Sequence, residues 1–188
     1  GADRLAARLH VSHPEARGIL RRHLGVCLDT CHLAVQFESP EMALRRMVRA
    51  GIRVSKVQVS AALTLRPGCP RAALAAFSDA VYLHQVVTGR AGRREQGFED
   101  LPEALAKART DREWRVHCHV PLYFKGRGGL GSTAGTLTPS FFRQAVKAGV
   151  THFEAETYTF HVLPARLRRP GVDASIIREL RWLNRRLP

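Results

Sequence analysis

The chain has 188 residues, 45% of them hydrophobic, and its 30 Lys and Arg against 16 Asp and Glu give a formal net charge of +14. That is enough apolar material for one core and excludes a disordered chain, and no apolar run reaches the roughly 18 residues of a membrane span. The four cysteines make no CxxC pair and no secreted disulfide framework, so reduced thiols and a cytoplasmic setting are expected.

The chain opens at Gly1 on a helix-like stretch, which points to a processed or truncated product. Ser12, Pro14 and Glu15 then form a helix start, with Ala16, Ile19, Leu20 and His23 at helical spacing. A strand over Leu24 to Thr30 follows, LGVCLDT, in which Cys27 and Asp29 share one face and Val26 and Leu28 the other. Taken alone, Asp29 reads as a turn cap and His32 as a surface imidazole.

Ser39-Pro40-Glu41 opens a second helix, with Ala43, Leu44, Met47 and Val48 on its inner face and Gly51 at its end. Arg53 to Ser60 reads as a strand whose polar face carries Lys56, Gln58 and Ser60. A long connection follows, with a turn at Arg66-Pro67-Gly68 and a short helix over Pro70 to Phe77. Val81 to Val87 is a candidate buried strand centred on His84, and Thr88 to Gln96 a polar loop.

Asp100, Pro102 and Glu103 start a helix that runs to about Ala108, and Trp114 to Val120 is the next strand, with His117 and His119 on one face. Lys125 to Thr136 is glycine-rich; its amides could cradle an anion, but it matches no nucleotide-binding fingerprint and is read as a flexible active-site loop. Thr138-Pro139 starts a helix with Phe142, Ala145 and Val146 inward, ending at Gly149. A last strand, Thr151 to Thr159, carries Glu154 and Glu156 on one face and leads through a Pro- and Arg-rich link to a helix from Asp173.

SPEMALRRMVRAGI and TPSFFRQAVKAGV echo each other as capped helices that feed strands. Such βα repeats imply a parallel sheet, and right-handed crossovers would wind it towards a barrel. The ends of these strands bring together Asp29, His32, His84, His117, His119, Glu154 and Glu156. Carboxylates mixed with imidazoles suit zinc, manganese or iron better than calcium. Cys27 and Cys31 lack the second pair of a zinc site, and core packing is expected for Cys27 and Cys118. The positive charge is mostly arginine on helix faces such as Arg45, Arg46 and Arg49. The densest runs, Arg166 to Arg169 and Arg181 to Arg186, include Trp182 as their one aromatic, so nucleic acid is not the expected partner.

GVCLDTCH resembles the xylose-isomerase-like barrel superfamily, which includes endonuclease IV and sugar isomerases. GVCLDTCHLAVQFE, KVQVSAAL, YLHQVV, HCHVPLYF and HFEAETYTFHVLP together look like the EboE-type metabolite traffic proteins of ebo clusters. The resemblance implies a divalent metal, zinc or manganese, held by Asp29, His32 and Glu156, with His84 and His117 of the strand-end set as further expected ligands. His119 and Glu154 would move protons, and Lys56 and Gln58 would bind substrate; Gln58 stands where the related enzymes carry a histidine. It further implies a single domain over 1–188, the C-terminal half of a (β/α)8 barrel, with open sheet edges through which copies could associate. The function it implies is a metal-dependent isomerase or epimerase of a sugar, polyol or other hydroxylated metabolite. The alternatives are a binding protein in metabolite traffic and an endonuclease IV-like phosphodiesterase.

Overall fold

A computed structural model describes residues 1–78, 82–156, 160, 163–169 and 171–188. The chain opens with α1 (Ala2–Leu9) and α2 (His13–His23), the second started by Ser12, whose hydroxyl accepts from the Glu15 amide. β1 (Val26–Asp29) runs straight into α3 (Thr30–Val35), and α4 (Pro40–Arg49) leads into β2 (Val54–Val59). Only Ser60 and Ala61 separate β2 from β3 (Ala62–Leu65).

A 3-10 segment, Arg71–Phe77, precedes the hairpin of β4 (Val86–Arg90) and β5 (Arg93–Phe98). Then come α5 (Leu101–Lys107), β6 (Glu113–His119) and β7 (Leu130–Ser132), with a 3-10 turn over Thr133–Thr136. α6 (Pro139–Lys147), β8 (Phe153–Ala155), α7 (Ala165–Arg168) and α8 (Val172–Asn184) complete the described elements.

The described strands form two sheets, and this overturns the barrel expectation. A parallel sheet has the order β1-β2-β8, and a separate antiparallel sheet has the order β5-β4-β6-β3-β7. The fold is mixed α/β, not a succession of parallel βα units. The reason is local: a parallel neighbour needs a crossover of a dozen or more residues, whereas β2 passes into β3 through two. Likewise Ala91 and Gly92, at φ 50° and 74°, close a two-residue hairpin.

The echo between SPEMALRRMVRAGI and TPSFFRQAVKAGV corresponds to α4 and α6, and the strands they feed, β2 and β8, lie side by side. Ser39 and Thr138 cap these helices, accepting from the amides of Met42 and Phe141. Val48 and Val146, expected inward, are exposed, and Phe141 takes the inner position beside Phe142. Cys118 is buried as expected; Cys27 is exposed on the sheet face.

The expected strand at Val81 to Val87 begins instead at Val86, and Val81 lies outside the described residues. The expected loop at Thr88 to Gln96 is the hairpin, and the expected loop at Lys125 to Thr136 contains β7. Thr157 to Thr159 and His161 lie outside the described residues. Among the described residues no helix is long and apolar enough to cross a membrane.

One core packs around β2, with Leu28, Leu44, Phe141, Phe142 and Leu183. The other packs around β6, with Phe77, Leu101 and Trp114. Each fully buried large side chain contributes about 1.5–3 kcal/mol. Between them Cys31, Val35, Ala62 and Val87 form a small apolar seam.

Candidate metal centre

The site forms where the seam meets the carboxyl ends of the parallel strands, the usual binding position in open parallel sheets. Strand alternation puts Cys27 and Asp29, Lys56, Gln58 and Ser60, and Glu154 and Glu156 on one sheet face. The register sets Asp29 beside Gln58 and Gln58 beside Glu154. From the other sheet, the end of β6 arrives with His119 opposite Ala62, bringing His117 and His119 over that polar face.

Asp29 ends β1 and caps α3. Its Oδ1 accepts from the amides of Cys31 (2.8 Å) and His32 (3.3 Å) and from the Ser60 hydroxyl (2.8 Å). Its Oδ2 lies 2.6 Å from His32 Nδ1. Burial works against its charge, but the Ser60 hydroxyl and the His32 imidazole hold the carboxyl below its ordinary range. Thr30 fastens the same corner to β2, donating to the Ser60 carbonyl (2.7 Å) and accepting from the Ser60 amide (2.9 Å).

Within this frame Cys31, His117 and His119 each present a donor atom, all within 4.8 Å of one another. Cys31 is completely buried and His119 is 6% exposed. Burial, then the charges of Asp29, Cys118 and Glu156, push the Cys31 thiol well above its ordinary value. His117 is pushed down to about 4 by burial and then by the neighbouring His32 and His119. Its ring lies 4.3 Å from that of His32 and 5.3 Å from that of His119. At neutral pH His117 is therefore an uncharged imidazole, the form that binds metal.

The expected ligands distribute unevenly around this group. His117 belongs to it, together with His119, the residue expected to transfer protons. Glu156 stands behind His119, with Oε2 3.1 Å from Nδ1. Burial opposes the Glu156 charge, but His119 and Gln58 outweigh it and lower its pKa. Asp29 and His32 form a pair at the open side, where the His32 side chain is 61% exposed.

His84 is buried, 2% exposed, and close enough for its charge to act on His117; its Nδ1 has no hydrogen-bond partner among the described residues. Glu154 is drawn away into an ion pair with Lys56, which raises the lysine pKa. The Cys27 thiol donates to Gln58 Oε1 at 3.6 Å.

Two contributors, Cys31 and Ser60, are not among the expected site residues. Cys31 was legible only as half of a weak Cys27–Cys31 spacing, because the helical turn that buries it depends on Asp29 acting as a cap. Ser60 follows Lys56 and Gln58 in the same alternation, and that period is the signal for it. Comparison with protein-family models, curated proteins and solved structures finds no match for this chain.

Proposed function

We propose that the chain is a metal-dependent protein acting on a small hydroxylated metabolite, as an isomerase or epimerase of a sugar or polyol. The observation that carries it is the convergence of the Cys31, His117 and His119 donor atoms within 4.8 Å, backed by Asp29 and Glu156. One thiol and two imidazoles favour zinc over manganese, because soft sulfur ligands select it. Three protein ligands also match the open site of a catalytic zinc, to which a hydroxyl or carbonyl can be added. When bound, the ion would polarise that oxygen.

The remaining residues have roles that follow from their positions. Glu156, with Oε2 3.1 Å from His119 Nδ1, supplies a carboxylate behind that imidazole. Asp29 takes up the Nδ1 side of His32 and so leaves the exposed edge of that ring to accept and return a proton. Gln58, on the same face, would hold a substrate hydroxyl, whereas the Lys56 ammonium is held by Glu154.

The test combines metal analysis and turnover. Purified protein should retain close to one zinc per chain, and its cobalt form should show thiolate-to-cobalt absorption that Cys31→Ser abolishes. Metal content equal to that of a His117→Gln, Cys31→Ser double variant would sink the reading. Turnover of hydroxylated metabolites should fall by about 10²–10⁴ in His32→Gln with zinc retained. Binding without turnover would instead make the chain a carrier.

A further inference from the structure

The glycine-rich segment KGRGGLGS, residues 125–132, forms one wall of a second cleft, which the metal centre does not use. It has a volume of about 440 Å³, and Thr64, Arg66, Lys125, Arg127, Gly128 and Ser132 line it. It opens near Leu65, at the end of β3 opposite the one that meets His119. No carboxylate lines it, and among the described residues none of its three cations forms an ion pair.

Backbone bonds hold the walls in place. The Arg66 amide donates to the Gly129 carbonyl at 3.0 Å, and the Leu130 amide to the Arg127 carbonyl at 3.1 Å. Gly126 and Gly129 are required by this packing: a Cβ there would lie 2.2 Å from the Leu130 carbonyl oxygen or 2.5 Å from the Cys69 side chain. Gly128 is different. A Cβ there would lie in open space, and it is the φ of 60° rather than packing that favours glycine. Among the described residues no backbone carbonyl accepts from the amides of Lys125, Gly126 or Gly128.

Three cations that share one cleft with no carboxylate partner favour an anion there. Two guanidinium forks, an ammonium, two hydroxyls and loop amides are the donor set that matches a tetrahedral oxyanion. We propose that this cleft binds a phosphate group, free or as the monoester of a small metabolite. It does so independently of the metal centre.

The test is titration of the isotope-labelled full chain with inorganic phosphate, a hexose monophosphate and a short single-stranded oligonucleotide, followed by amide NMR and calorimetry. Phosphate or the monoester should shift the amides of residues 125–131. Lys125→Ala and Arg127→Ala should each weaken binding about tenfold. Gly128→Asp, which puts a carboxylate into open space at a φ that Asp tolerates, should abolish binding with the circular dichroism spectrum unchanged. Arg17→Ala, on α2, should leave it unaltered.

Tighter binding of the monoester identifies a phosphorylated metabolite as the source, and tighter inorganic phosphate identifies the free anion. Binding of the oligonucleotide alone, absence of shifts at 125–131, or full affinity in Gly128→Asp would overturn the proposal.

Discussion

Asp29 does two jobs at one atom: Oδ1 caps α3 and also receives the Ser60 hydroxyl, so the helix that carries Cys31 and His32 starts where β1 stops. Replacing Asp29 by Ala should cost about 1–2 kcal/mol of stability in urea denaturation of the metal-free protein, and Asp29→Asn less, because Asn still caps. His117 makes a separate prediction. Its pKa is about 4 in the fold and near 6.5 when unfolded, so between these values the unfolded chain binds more protons. Stability of the metal-free protein should therefore fall as pH drops from about 6.5 to about 4, and His117→Gln should flatten that slope. Asp29 and Glu156, both lowered, act in the same direction: their contributions hold above their ordinary values and are lost as pH falls through the lowered ones. At this scale the sequence was informative about residue type and face: Asp29, His117 and Glu156 were all legible. Cys31 was not, since its burial depends on a helix that the strand-like GVCLDT pattern hides.

At the scale of elements, local chemistry decided most of the helices. Ser12, Ser39, Asp100 and Thr138 each precede a helix and each accepts from an amide of its first turn. The hairpin is not legible in the sequence because β5, RREQGF, is polar and exposed up to Gly97 and carries no apolar alternation. Those charges suit an edge strand, where they discourage pairing with another chain. Gly89 is the tight point of this hairpin: a Cβ there would sit 2.3 Å from the Arg93 carbonyl oxygen and 2.7 Å from the Phe37 ring. Gly89→Ala should destabilise the protein by about 1–3 kcal/mol, with hydrogen-exchange protection lost first in β4 and β5. Phe37 is also stacked under Arg115 of β6, at 3.9 Å, and Arg115 donates to the Ala34 carbonyl, so the same contact ties α3 to the antiparallel sheet.

Across the whole molecule, two cores meet along a narrow seam, and the candidate metal ligands come from both sides of it: Cys31 from α3, and His117 and His119 from β6. An ion held there would link the two sheets as well as serve chemistry. Zinc at a hundredfold excess over its dissociation constant should stabilise the fold by about 2.7 kcal/mol, seen as a single upward-shifted thermal transition that a chelator reverses and Cys31→Ser lacks. The sequence by itself determined which faces are polar, where most helices begin, and that acids and imidazoles end several strands, because these follow from side-chain period and capping chemistry within a few residues. Only the tertiary structure decided that β2 hands the chain to an antiparallel sheet, that Cys31 turns in beside two histidines, and that Glu154 is taken up by Lys56. Those outcomes depend on strand pairing between residues far apart in the chain, which no local pattern encodes.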